Sequence, residues 1–440
     1  MMRKFKLFLQ NNKLWVVVIL IVSTLTGFFL YGLSKLEPLH RIMTIATISM
    51  HLLVAIASAV AFVFMYMTVL RGGFGKLKKI KVNVKNIGIS FKDVIGLKEA
   101  KKEALEIVKF IKDRKNLQRL GGGWIINGIL LIGPPGCGKT LLAKAIATEC
   151  DVPFISASGS EFVEVFVGVG ASRIRTLFKK AREYAYTDGA CIVFIDEVEV
   201  IGRSRVFSYL GAGEETNSTQ NQLLVEMDGL ENKKSNVIVI AATNADGSIL
   251  DKALLRSGRF DRKIVVMPPN LKERKQLFEF YLKEVKISSE VTSNLGSLAK
   301  KTVYKSPADI ENIIKEAVLI AAREKKDTIN IKDLLEAMDR TDLGMETHID
   351  MTSKEFEMIA YHEAGHAVAM YLMHPTDDVF KVSVRPRQKH LGVVSPLPKC
   401  ELHTEYKEEL LADIMVALAG YVTTKIKYNT TTTSVSSDFK

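Results

Sequence analysis

ILLIGPPGCGKTLLAKAIA, residues 129–147, decides the fold. Ile129 to Ile132 is a short apolar run that reads as a buried strand, and Leu141 to Ala147 is made of good helix formers. Gly133 to Thr140 therefore joins strand to helix as a phosphate-binding loop does. Within it Gly133, Pro134, Pro135, Gly136, Cys137 and Gly138 form the turn. The glycines let backbone N–H groups face inward around phosphates at the positive end of the helix that follows. Lys139 is expected to reach the β and γ phosphates, and the Thr140 hydroxyl to ligate magnesium. ATP and Mg2+ are the implied ligands.

Working outward, Cys191 to Ile195 is a second apolar strand that delivers Asp196 and Glu197 at its carboxyl end, where ligands sit in open parallel sheets. Asp196 suits the magnesium shell, and Glu197 suits orienting and polarising a water. A third strand, Val237 to Ala241, ends at Thr243 and Asn244, polar enough to hold that water near the γ-phosphate. A helix is expected to lead from it to the segment GRFDR, whose Arg259 and Arg262 lie three apart on a loop.

A second string, HEAGH at His362 to His366, lies in a stretch from Met351 to Leu372 that reads as a helix. His362 and His366 are one turn apart on one face, so their imidazoles can meet one zinc ion, with Glu363 placed to accept a proton from water there. Zinc in such a site needs a third protein ligand. The downstream candidates are His374, His390, His403 and several acids, and spacing does not choose among them.

The net charge is +12, but residues 1–85 hold twelve Lys and Arg against one acid, Glu37, leaving +1 for the other 355 residues. That placement points to lipid headgroups rather than nucleic acid. Leu14 to Leu33 and Ile42 to Leu70 are uncharged runs of 20 and 29 residues, each long enough to cross a bilayer. Basic residues before the first and after the second put both ends on the cytoplasmic side, which makes a transmembrane helical hairpin. A cleaved signal peptide is the rival for the first run. No transit segment rich in Arg and Ser precedes it, so a bacterial plasma membrane is expected. Four scattered cysteines exclude a disulfide framework and suit a reducing compartment.

These motifs and their order resemble the AAA+ ATPases, and among them the membrane-bound FtsH-type zinc proteases. The resemblance rests on FKDVIGLKEAKKE (Phe91 to Glu103), GPPGCGKT, FVEVFVGVGASRIRTLF (Phe162 to Phe178), FIDEVEVIGRSR (Phe194 to Arg205), NQLLVEMDGL, VIVIAATN and ALLRSGRFDR. It covers about residue 86 to the end. It implies a ring of six subunits, in which Asn244 is a sensor and Arg259 and Arg262 reach the neighbour's γ-phosphate. Read alone, those arginines are surface groups. It further implies adenine contacts by the backbone of Val94, Ile95 and Gly96, and a substrate-gripping pore loop at Phe166, Val167 and Gly168. The family's third zinc ligand is an aspartate, and the match falls on Asp438.

The fold class expected is an α/β P-loop AAA+ domain with a helical lid, an N-terminal transmembrane helical hairpin and a C-terminal, mainly α, zinc peptidase domain. Domain bounds are 1–85, 86–267, 268–345 and 346–440, with a hinge at Gly72 to Gly75. The implied activity is ATP-dependent unfolding, translocation and cleavage of membrane and misfolded proteins by a homo-hexamer or a hetero-hexamer. Departures from the family pattern are an outer loop of eight residues, Thr216, Asn217, Thr423 to Lys425 and Pro307. The family also implies a helical segment after Asp438. A chain ending at Lys440 thus raises two alternatives, a fragment or a membrane-anchored chaperone or scaffold subunit that does not cut.

Overall fold

The computed structural model describes residues 31–32, 34–66, 81–83, 88–113, 127–163, 168–203, 212–230, 236–244, 247–387, 391–400, 404, 406–431 and 438. Residues 1–79 and 80–440 form two separate units. In the first, α1 (Pro38–Tyr66) is a single helix whose stretch Pro38–Met65 is long and apolar enough to cross a membrane. Its large apolar side chains, among them Leu39, Leu53 and Phe64, are exposed. It covers most of the second apolar run. The first run lies outside the described residues except at its carboxyl end, as does the expected hinge.

The second unit is built on a six-stranded sheet. Its strands are β1 (Lys81–Asn83), β2 (Gly128–Ile132), β3 (Phe154–Ser158), β4 (Cys191–Asp196), β5 (Val237–Thr243) and β6 (Phe260–Val265), in the order β1-β3-β4-β5-β2-β6. All pairs are parallel except β1 with β3, which starts the sheet before residue 86. Strands β2, β4 and β5 are almost wholly buried, as parallel strands covered by helices on both faces must be, and so they read as continuous apolar runs. Around them pack α2 (Lys98–Lys112), α3 (Lys139–Cys150), α4 (Val169–Asp188), the single turn α5 (Glu199–Gly202) and α6 (Ala212–Asp228). Phe154 stacks on Phe194 with ring centroids 5.7 Å apart. Such a pair contributes about 0.5–1.5 kcal/mol beyond its burial.

Two expectations for this sheet need correction. Among the described residues the link from β5 to β6 is a 3₁₀ turn at Gly247–Ile249 and further turns, not an α-helix. Arg262 lies in β6, paired with Ile129, rather than on a loop. Its strand is an edge whose outward positions carry charge, so the run FDRKIV lacks the apolar signature of its neighbours.

The lid consists of α7 (Leu271–Leu282), α8 (Ser289–Ser293), α9 (Leu295–Lys301), α10 (Pro307–Arg323) and α11 (Ile331–Leu343). Reciprocal caps start three of them: Asn270 with Glu273, Ser306 with Asp309, and Asn330 with Asp333. Pro307 occupies the first turn of α10, where its missing N–H costs no hydrogen bond. The lid core gathers Leu277, Phe278, Leu298, Ile310, Ile313, Ile314, Leu334 and Met338. Truncating a side chain as buried as Phe278 to alanine costs about 3–5 kcal/mol. The fully buried Arg274 is satisfied by the carbonyls of Ala299 (2.9 Å) and Pro269 (3.0 Å), which ties α7 to the end of α9.

The final part holds α12 (Ser353–Met373), β7 (Asp377–Ser383), β8 (Val393–Pro398) and α13 (Lys407–Tyr428). Thr352 caps α12 in a reciprocal pair with Glu355. The mainly helical expectation overlooked β7 and β8, an antiparallel pair with a bulge between Val379 and Lys381.

Candidate functional site

The carboxyl ends of β2, β4 and β5 lie side by side, and the residues after each strand converge there. Gly136 has φ +76, and a Cβ on it would lie 2.6 Å from Ser306 Oγ, so the loop accepts only glycine at that position. The Lys139 ammonium is 6% exposed with its residue and donates to Gly133 O (2.7 Å), Pro134 O (2.8 Å) and Asn244 Oδ1 (2.7 Å). Burial lowers its pKa, opposed by nearby Cys137, Asp196 and Glu199. The Thr140 hydroxyl donates to Asp196 Oδ2 at 2.9 Å, so the hydroxyl and carboxylate expected around magnesium are already together.

Glu197 follows Asp196 with φ +52, a left-handed conformation unusual for this residue type. The Ser158 hydroxyl donates to its carboxylate at 3.3 Å. The backbone N–H of Asn244 donates to Glu199 Oε1 at 3.3 Å. Glu199, a buried acid at the start of α5, was missed in the sequence because its neighbours Val198, Val200 and Ile201 make it look like one charge in an apolar turn. Cys137 is buried, which raises its pKa.

Val94, Ile95 and Gly96 lie at the seam between sheet and lid. Val94 belongs to the sheet core, Ile95 packs against the lid core, and Gly96 faces the Glu273 side chain. Arg259 is engaged within its own chain: Nε donates to Asp228 Oδ1 (2.7 Å), Nη2 to Asp228 Oδ2 (2.8 Å) and Nη1 to Ala253 O (2.7 Å). Gly168, with φ +87, immediately precedes α4, while Phe166 and Val167 lie outside the described residues.

The second site is built on α12 and α13. His362 Nε2 and His366 Nε2 are 3.2 Å apart, and Asp438 Oδ2 lies 3.0 Å from the first and 3.6 Å from the second. Ligand atoms bound tetrahedrally at zinc–nitrogen and zinc–oxygen distances stand about 3.3 Å from one another. Two imidazole nitrogens that meet with lone pairs repel unless a proton or a cation lies between them. Donor set and spacing both fit zinc. His366 Nδ1 lies 2.7 Å from Val416 O, so Nδ1 carries the proton and Nε2 presents its lone pair.

Gly420 of α13 lies directly under both rings: a Cβ there would be 2.4 Å from His366 Nε2 and 2.5 Å from His362 Cε1. Thr423, one of the departures from the family pattern, packs its hydroxyl against Gly365 between the two histidines. Glu363 is buried beside them, and burial with the nearby Asp438 charge pushes its carboxyl up to about 7. Burial lowers the His362 pKa, as does His366, with Asp438 opposing. Gly392, just before β8, approaches the Glu363 carboxylate closely. Of the other ligand candidates, His374 sits elsewhere, 3.1 Å from Asp413, and His390 and His403 lie outside the described residues. Val416, Gly420 and Gly392 carry no sequence signal, since their roles come from packing alone.

A parallel nucleotide-binding sheet with its lid, followed by a two-histidine helix facing an aspartate, defines an AAA+ ATPase joined to a zinc-peptidase domain. Residues 129–268 match the ATPase family associated with various cellular activities, residues 293–336 the AAA+ lid domain, and residues 349–440 peptidase family M41. The chain is 45% identical over 368 residues to "ATP-dependent zinc metalloprotease FtsH 2" of Methylacidiphilum infernorum, covering 83% of this chain and 56% of that protein. It is 42% identical over 389 residues to "ATP-dependent zinc metalloprotease FtsH" of Cupriavidus metallidurans (87% and 59%). For the Rickettsia conorii protein of the same name the identity is 44% over 371 residues (84% and 57%). Over more than four fifths of its length the chain is thus similar to FtsH-type AAA+ zinc metalloproteases, and it spans somewhat more than half the length of these relatives.

Proposed function

We propose that this protein is an ATP-dependent zinc metalloendopeptidase that unfolds, translocates and cleaves membrane and misfolded proteins. The observation that carries this reading is the convergence of His362, His366 and Asp438, their ligand atoms within 4.8 Å of one another, in the chain that also carries the P-loop. In this reading residues 86–267 are the motor, 268–345 its lid and 346–440 the peptidase. At the nucleotide, Lys139 neutralises phosphate charge, Thr140 and Asp196 hold magnesium, Glu197 orients the attacking water and Asn244 senses the γ-phosphate. The backbone of Val94 to Gly96 meets the adenine. Arg262, on the edge strand, acts on the nucleotide of a neighbour in a ring of six, together with Arg259 once it leaves Asp228.

His362, His366 and Asp438 hold zinc, which supplies Lewis acidity toward water and the scissile carbonyl. Glu363 accepts the water's proton and returns it to the leaving amine. Phe166, Val167 and Gly168 feed the chain inward. Helix α1 and the apolar run before it anchor the protein as a hairpin in a bacterial plasma membrane, with motor and peptidase in the cytoplasm. The test uses an unstructured protein such as casein. Glu363→Gln should abolish its ATP-dependent digestion while ATP hydrolysis continues. A zinc-loaded, ATP-hydrolysing assembly that digests nothing refutes the reading.

A further inference from the structure

Besides the seam at Val94–Gly96, the lid touches the P-loop and the peptidase domain. At one end the N-terminus of α10 rests on the P-loop: Ala308 N–H donates to Gly136 O at 3.3 Å, and Ser306 Oγ fills the space beside Gly136. At the other end α11 presents Glu336 and Asp339, three residues apart on one face, to the peptidase domain. Arg387, whose side chain is 4% exposed, donates through Nη2 to Glu336 Oε2 at 2.9 Å and through Nη1 to Gly344 O at 3.0 Å. Its Nη2 also lies 3.5 Å from Asp339 Oδ2 and 3.7 Å from Glu346 Oε1. Lys381 of β7 forms a second ion pair with Asp339, and Lys301 of the lid sits 4.6 Å above the Phe380 ring. Arg340 holds Glu336 in place at 3.0 Å, and beside the junction, within the peptidase part, Thr347 N–H bonds Pro386 O at 3.0 Å.

Between these ends α10 and α11 share one core, in which Ile310, Ile313 and Ile314 pack with Leu334 and Met338. Close-packed helices of this kind move together rather than deform. We propose that Arg387, with Lys381, is an ionic clamp through which the lid transmits the nucleotide state of the P-loop to the peptidase domain. A planar guanidinium that bonds two acceptors at once fixes orientation as well as distance, which a lysine there could not do. Removing Arg387 leaves Asp339 to Lys381 and Glu336 to Arg340, but it takes away the bonds that tie Glu336 and Gly344 O to the peptidase domain. The inference rests on the reading of Gly133–Thr140 as a nucleotide site, but not on peptidase activity.

The test is hydrogen exchange by mass spectrometry on the full chain in detergent, with and without saturating magnesium-ADP, while binding of a fluorescent ADP is measured in parallel. In the parent protein ADP should change exchange in Gly344–Thr347 and Thr376–Arg387. In Arg387→Met that difference should fall at least fivefold, while the ADP-dependent change in the P-loop and α10 persists. Should Arg387→Met not fold, Arg387→Lys takes its place, with a loss of about half expected. A difference of unchanged size in the variant overturns the clamp. A parent protein that binds ADP without any change at the junction overturns it as well. A parent protein that binds no ADP removes the nucleotide reading itself, and the coupling with it.

Discussion

Replacing Gly420 by alanine places a methyl carbon 2.4 Å from His366 Nε2, 2.5 Å from His362 Cε1 and 2.7 Å from His362 Nδ1. Carbon atoms in contact prefer about 3.5–4.0 Å, so the overlap with each ring is about 1 Å. Neither ring can give way freely. His366 is held by Val416 O at 2.7 Å, and the gap between the two Nε2 atoms is already 3.2 Å. Helix α13 must therefore move outward, or an imidazole must tilt. Forced overpacking of this kind costs about 1–3 kcal/mol of stability. Zinc sites tolerate displacements of about 0.2 Å, far less than the overlap imposed, so the larger effect falls on the metal. Altering groups around the ligands weakens metal affinity about 10–100-fold, and a direct clash with both rings belongs at the upper end. The assay is competition for zinc between the full chain and a chromophoric chelator, with ATP hydrolysis as the control for an intact motor. Zinc affinity within about threefold of the parent value would show that Gly420 does not lie under the rings as described.

Other substitutions probe the remaining elements. Glu197→Gln should slow ATP hydrolysis by about 10²–10⁴ with nucleotide binding retained, and equal loss of binding in a fluorescent-ADP titration would contradict its assignment. Burial pushes the Glu336 carboxyl up, but hydrogen bonds from Arg387 and Arg340 outweigh it, leaving the pKa below the ordinary 4.5. Its stabilising contribution is thus fully present above pH 4.5 and is lost as pH falls through the depressed value. Thermal melts taken from about pH 6 down to 3 should show a steeper acid decline for the parent than for Glu336→Gln, and parallel curves would count against the ion network. Pro307→Gly at the start of α10 should cost about 0.4–1 kcal/mol by freeing the unfolded chain, read as a lower urea midpoint at unchanged slope. A stabilised variant would mean the proline is strained there.

The motor was the most legible part, because its signals are local. A buried strand, a glycine turn and a helix follow one another within Ile129–Ala147, and Asp196 and Glu197 sit at the end of a continuous apolar run. Of the lid helices α7, α10 and α11 were legible from their periodicity, and their capping residues Asn270, Ser306 and Asn330 agree with it, while the short α8 and α9 were not. What depended on chain distant in sequence was not legible. Spacing could not choose a third metal ligand. The family resemblance pointed to Asp438, whose approach to His362 is set by tertiary packing. The β7–β8 hairpin escaped because Pro396 and Pro398 argue against a strand. Lys399 N–H donates to Thr376 O at 2.8 Å, so by alternation Val393, Ser395 and Leu397 turn their N–H groups toward β7. The two prolines fall at the positions that face away, where no donor is needed.

That alternation reaches past the folding of the hairpin. Along its outer rim β8 offers three carbonyl oxygens, those of Val394, Pro396 and Pro398, but a single amide hydrogen, at Val394. A foreign strand laid against this rim would find its first hydrogen bond returned and the next two refused, so augmentation stalls after one residue. A protein proposed to handle unfolded polypeptides all its life thereby keeps a strand end beside Glu363 that such chains can touch without polymerising onto it.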